Sequence, residues 1–97
     1  MHKKTVRLYA ESNAQAAEAL NLWYQMVTAA DWSNFNELTA SMPATDYIAE
    51  DYYVFNVKGN HYRVIALIFF DVRTVLIKGI FTHAEYSKLS KAKILSL

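Results

Sequence analysis

The sequence predicts an α+β domain, with helices packed on one face of a small antiparallel sheet. Three observations carry this reading. Ala16, Leu20, Trp23, Val27 and Ala30 recur at the spacing of one helical face. From Asp46 to Phe81 the chain is dominated by Tyr, Val, Ile and Phe, the residues that favour strands. Within that run, Lys58-Gly59-Asn60 is the strongest turn signal of the chain.

Taken in order, residues 4–10 alternate well enough for a short strand. Ser12 then opens the long helix, with Gln15 completing a capping box, and the helix is expected to end near Asp31. Ser33 caps a shorter helix that Pro43 stops. Strands follow, turning at Lys58-Gly59-Asn60 and more weakly at Asp71–Thr74. A last helix begins at Thr82, with Glu85 three residues on as a second capping box. The expected order is β-α-α-β-β-β-α, one domain over residues 1–97 with two N-terminal helices on one face of the sheet and a short C-terminal helix.

Register sorts the strand residues into two faces. A two-residue loop at Gly59-Asn60 or Lys58-Gly59 makes paired numbers sum to about 119 or 117, and either puts Asn56 on one face with His61 and Arg63. A second turn of two or four residues centred on Val72-Arg73 adds Lys78 and Thr82 to that face. The opposite face, from Tyr53, Phe55 and Val57 to Gly79 and Phe81, carries no charge and is expected to be the core. The polar face is expected to stay open, apolar toward the second turn at Ile65, Leu67, Phe69 and Ile80, which would suit a docking partner if no helix of the chain covers them.

Composition excludes several functions. With no cysteine, the chain has no disulfide framework, thiolate nucleophile or Cys-based zinc site, and its three histidines show no metal-ligand spacing. The longest apolar run, Val64 to Phe70, is about a third of a membrane span, and no signal-peptide pattern follows Met1. A cytoplasmic protein without membrane association is expected. The net charge of +1 hides an asymmetry: residues 1–51 carry three Lys and Arg against seven Asp and Glu, residues 52–97 seven against two. A basic C-terminal half raises the odds of a polyanionic partner.

The expected open face gathers Asn56, His61, Arg63, Lys78 and Thr82 beside a helix start, a place to bind phosphate. His83 sits in the first turn of that helix, where the positive end of the dipole favours the uncharged imidazole. Tyr86 follows on the same helical side, and Lys88, Lys91 and Lys93 add attraction for an anion. A proton acceptor, cations and a further proton carrier are the groups that metal-free cleavage of RNA requires.

The block Tyr53-Val54-Phe55-Asn56-Val57-Lys58-Gly59-Asn60-His61-Tyr62-Arg63-Val64, followed by Phe81-Thr82-His83-Ala84-Glu85-Tyr86, resembles HigB-type toxins of type II toxin–antitoxin systems, within the RelE-like group of mRNA interferases. Leu22-Trp23-Tyr24 and Ala30-Asp31-Trp32 fit the same pattern, so the resemblance spans nearly the whole chain. It implies a RelE-like fold, cleavage of mRNA usually on translating ribosomes, no cofactor, and neutralisation by a helix-turn-helix HigA-type antitoxin that supplies any contact with DNA. By position it implies Arg63, Lys78, His83 and Tyr86 as catalytic residues, with Arg63 and Lys78 on the scissile phosphate and His83, then Tyr86, as general base or acid. Asn56, Lys58, Asn60, His61, Thr82 and Lys88 are the expected RNA-binding set, with Asn56 and Asn60 shaping the turn and Asn60 a candidate for positive φ. Lys78 stands where many members have Arg, Ser87 where Asp is usual, and Ala66-Leu67-Ile68 where many carry a Lys. A non-catalytic inhibitor that occupies RNA or the ribosome would need the same basic face. A DNA-binding subunit is disfavoured, because the long helix from Asn13 to Ala30 carries no Lys or Arg.

Overall fold

The computed structural model describes residues 3–59 and 61–97. Three helices come first: α1 (Lys4–Ser12), α2 (Ala17–Ala29) and α3 (Phe35–Ser41). Four strands follow, β1 (Thr45–Ala49), β2 (Tyr52–Val57), β3 (Tyr62–Phe69) and β4 (Thr74–Thr82), and then two short helices, α4 (His83–Ser87) and α5 (Lys91–Leu95). The strands form one antiparallel meander in the order β1-β2-β3-β4.

The expected N-terminal strand is thus a helix. Val6 and Tyr9 stand three residues apart, so a helix turns both inward, and Val6 is fully buried while Leu8 stays half-exposed. A strand would have sent Val6 and Leu8 to the same side. Asn13 ends α1, its backbone N–H and its side-chain Nδ2 both donating to the Tyr9 carbonyl at 2.9 and 3.1 Å. Ser12 therefore closes one helix rather than opening the next, and α2 starts without a side-chain cap after a single 3-10 turn at Ala14–Ala16. Ala16, Leu20, Trp23 and Val27 are buried as their spacing predicts. Asn34, not Ser33, caps α3, accepting from the Glu37 N–H at 2.9 Å, while the Ser33 N–H donates to the Glu37 carboxylate at 2.7 Å.

A turn that sequence reading passed over joins β1 to β2. Glu50 and Asp51 both take positive φ, 51° and 69°, the backbone of a type I′ hairpin that usually selects Asn and Gly. Between β2 and β3, Asn56 pairs with Arg63 and Val57 with Tyr62, one of the two expected registers. Lys58 and Gly59 carry the positive φ there; the expectation for Asn60 lies outside the described residues.

The β3–β4 register departs from expectation. Near the second turn, Ala66 pairs with Ile77 and Ile68 with Val75, but a β-bulge between Ile65 and Ala66 shifts the rest, so Ile65 pairs with Gly79, Arg63 with Phe81 and Tyr62 with Thr82. One extra residue, Lys78, sits in the bulge and exchanges the two faces of β4 beyond it. Ile80 joins the helical core and Phe81 moves to the Arg63 face. Thr82 leaves the face on which it was expected. Gly79 allows this: a Cβ there would lie 2.7 Å from the Phe81 ring.

The second face is not open either. α4 and α5 cover it, with Ile94 buried against Tyr52, Val54 and Ile65, and Leu67, Leu89 and Leu97 packed around them. Ile65 is fully buried and Ile80 lies in the helical core, so neither is a docking point. Both faces of β2 and of the first half of β3 are covered as a result. Among the described residues, no helix is long and apolar enough to cross a membrane.

Candidate active site

Arg63 comes from the middle of the sheet and is 7% exposed. Alternation on β3 directs it to the face of Val54 and Ile65, opposite Phe81, at the end where α4 starts. That start is rigidly built. Thr82 accepts from the Glu85 N–H at 3.1 Å, and Glu85 in return accepts from the Thr82 N–H at 2.8 Å, which is the expected capping box. The His83 N–H donates to the His61 carbonyl at 2.9 Å, which carries the β3–β4 ladder into the first residue of α4.

These constraints bring three of the expected catalytic residues together. An Arg63 Nη2 lies 2.9 Å from His83 Nδ1, and the guanidinium carbon lies 5.6 Å from the centre of the Tyr86 ring. Nη1 also donates to the Tyr62 carbonyl at 3.3 Å. His83 and Tyr86, three residues apart on α4, thus flank one buried cation. A guanidinium can only donate, so Nδ1 is the acceptor in this contact and Nε2 is the ring nitrogen left outside it. His83 is itself exposed, so that second nitrogen is within reach of solvent or a ligand.

The other expected residues are dispersed. Lys78, in the exposed bulge, is three positions along β4 from Phe81, about 10 Å from the level of Arg63. Lys58 points to the helical side, its Nζ donating to the Gln15 carbonyl at 2.8 Å. The Asn56 side chain donates to the Ala44 carbonyl at 3.0 Å and ties down the entry to β1. His61 is exposed, and its carbonyl rather than its ring holds His83. Thr82 acts as a cap, Lys88 ends α4 as an exposed residue, and Asn60 is outside the described residues. Sequence reading missed Phe81, which walls the Arg63 face. A glycine inside a strand pattern is a mark of a bulge, and Gly79 was the signal available. It also missed Tyr9, whose ring meets Tyr62 edge-on at 6.1 Å. Partial burial, then the nearby Glu85 charge, raises the Tyr9 phenol above its ordinary value. Among the described residues, no group of three or more His, Asp or Glu is placed to hold a metal ion.

A four-stranded antiparallel sheet with helices on both faces, and a buried arginine against a helix-borne histidine, is compatible with the RelE-like class of toxin folds. The model of the HigB toxin family, described as a RelE-like toxic component of a toxin–antitoxin system, matches residues 16–89, and the chain belongs to this family. It is 36% identical over 77 residues to the mRNA interferase HigB of Escherichia coli O6:H1 (strain CFT073), covering 77% of this chain and 75% of that protein. To the mRNA interferase toxin HigB of Escherichia coli K12 it is 41% identical over 51 residues, which is 50% of this chain and 49% of that protein.

Proposed function

We propose that this chain is an endoribonuclease that cleaves mRNA without a metal ion, acts on translating ribosomes in the cytoplasm, and is held inactive by a helix-turn-helix antitoxin of the HigA type. Residues 1–97 act as one catalytic domain, since both packed layers lean on the same sheet. The observation that carries the reading is the Arg63–His83–Tyr86 cluster, in which one buried guanidinium lies within hydrogen-bond distance of the His83 ring and over the face of the Tyr86 ring. The related HigB proteins are named mRNA interferases, which supports the same substrate here.

The chemistry runs as follows. Arg63 turns its donors to the non-bridging oxygens of the scissile phosphate, which frees His83 Nδ1 as an acceptor. The ribose 2′-oxygen attacks phosphorus while its proton passes to His83, forming the new P–O2′ bond. The P–O5′ bond then breaks, and the departing 5′-oxygen takes a proton from the Tyr86 hydroxyl. The products are a 2′,3′-cyclic phosphate and a 5′-hydroxyl end. Burial of Arg63 strengthens its attraction for the pentacoordinate phosphate, where charge is greatest. Lys78, Lys88 and His61, all exposed, are assigned in this reading to flanking nucleotides rather than to the reacting one.

The test is mapping of mRNA ends after induction and in a purified translation reaction, with the chemistry of the new ends determined. Discrete new ends that carry a 5′-hydroxyl and a 2′,3′-cyclic phosphate, and vanish in Arg63→Ala and His83→Ala at matched expression, are expected. Uniform stalling with intact mRNA would replace this reading by inhibition through occupancy, and 5′-phosphate ends would overturn the metal-free transfer to the ribose 2′-oxygen.

A further inference from the structure

The first helix precedes the residues matched to the family, and sequence reading assigned it to the wrong kind of element. It is nonetheless docked at the catalytic end of the sheet. Lys3 at its start lies 5.5 Å above the Tyr24 ring, which turns that flank toward α2. Tyr9, six residues on, is rotated by about 120° from Lys3, away from α2 and toward the far edge of the sheet. There its ring meets Tyr62 edge-on, with centroids 6.1 Å apart.

Tyr62 has a particular place in the site. Its register partner is Thr82, whose side chain caps α4. Its carbonyl accepts from Arg63 Nη1 at 3.3 Å, and the neighbouring His61 carbonyl accepts from the His83 N–H at 2.9 Å. Tyr9 is also close enough to Glu85, the other half of the cap, for that carboxylate to disfavour ionisation of its phenol. The Tyr9 ring therefore abuts the segment from which both Arg63 and the start of α4 are hung. Tyr9 is only partly buried, whereas Val6 beside it is fully buried, so Val6 supplies the helix with its anchor in the core.

We infer that Tyr9 is a positioning residue of the nuclease site, whose ring braces Tyr62 and the capped start of α4 so that His83 stays in register with Arg63. The inference rests on the proposed ribonuclease reading. It assigns to α1 a share in catalysis without contact with RNA, and it gives the role to the aromatic ring rather than to the hydroxyl.

The experiment compares Tyr9→Ala and Tyr9→Phe with Val27→Ala, a core truncation at the opposite end of β3 near Ile68 and Phe70. Each purified variant is assayed for cleavage of mRNA in a purified translation reaction below its unfolding transition, and its His83 ring nitrogens are followed by NMR. Tyr9→Ala is expected to lower kcat about tenfold or more with KM little changed and to shift the Nδ1 signal of His83. Tyr9→Phe should restore both, and Val27→Ala should lower thermal stability while leaving both as in the parent. Equal kcat and an unmoved His83 signal in Tyr9→Ala would overturn the inference, as would a Tyr9→Phe variant as impaired as Tyr9→Ala. If the parent itself cleaves no RNA, the ribonuclease reading fails, and the His83 signal still decides whether Tyr9 positions the ring.

Discussion

The two faces of the sheet are packed on different scales. Among the described residues, the face under α1–α3 gathers fourteen buried residues into one core, while the face under α4 and α5 gathers four. The large core uses aromatic contacts such as Trp23 against Phe55, 5.2 Å apart, and holds no charged side chain. The small one borders Arg63, and its cover consists of two five-residue helices held by Ile94, Leu97 and a hydrogen bond of 3.1 Å from the Tyr52 hydroxyl to the Leu97 carbonyl. Stability is concentrated on one side of β2 and β3 and the Arg63–His83–Tyr86 cluster lies on the other. A side chain on a central strand can thus be held firmly from behind while its functional end stays under a light cover.

Substitutions on the two sides should therefore separate stability from activity. Phe55→Ala removes a ring that is 1% exposed and should cost about 3–5 kcal/mol of unfolding free energy, read by urea denaturation. Losing less than about 1 kcal/mol would break the comparison at its stronger end. Arg63→Ala should lower cleavage on the order of 10²–10³-fold, the usual cost of losing one group aimed at developing charge. Its denaturation midpoint should move much less than that of Phe55→Ala. Arg63→Lys keeps the charge but not the planar fork that reaches both His83 and a phosphate, so it should recover only part of the rate.

Ile94→Ala tests the small core. Ile94 is 5% exposed, and its loss should cost about 2 kcal/mol, at the low end for such truncations because a short terminal helix can rearrange. Tyr86 packs against the same cluster, so cleavage should fall as well. Hydrogen exchange should rise across α4 and α5 while protection under α2 stays as before. Uniform loss of protection on both faces would mean that the two cores unfold as one unit.

The same contrast explains what the sequence disclosed. Periodicity was clear where one face packs over many turns, as along Ala16, Leu20, Trp23 and Val27, and those residues are buried as expected. Over residues 4–10 the stretch is too short to distinguish a period of 2 from one of 3.6, and Thr5 and Val6 add strand propensity that docking of α1 overrides. Arg63, His83 and Tyr86, singled out because they fall in two family-like blocks beside a turn and a capping box, lie together in the structure. Lys78 and Thr82 were misplaced by a bulge that single-strand alternation cannot register, though Gly79 hinted at it. Lys58 was read as an RNA contact because its charge is visible in sequence, whereas its partner, the Gln15 carbonyl, is a backbone group 43 residues away.

The smallest effect belongs to the helical side and concerns charge. Glu37, fully exposed, has its carboxyl held below the ordinary value of 4.5, first by the hydrogen bond from the Ser33 backbone N–H. A carboxylate whose folded pKa is depressed binds its proton less readily in the folded chain than in the unfolded one. Its contribution to stability is therefore complete above the ordinary value and disappears as pH falls through the folded one. Glu37→Gln should leave the melting temperature close to the parent's in acid and slightly below it at neutral pH, because an amide oxygen accepts the Ser33 bond less strongly than a carboxylate. The difference between the two curves should open as pH rises through the depressed folded value and be complete above the ordinary glutamate value, and the substitution should leave cleavage unchanged, since α3 packs on the face opposite Arg63. A change in cleavage without a change in melting would mean that the helical layer takes part in handling RNA.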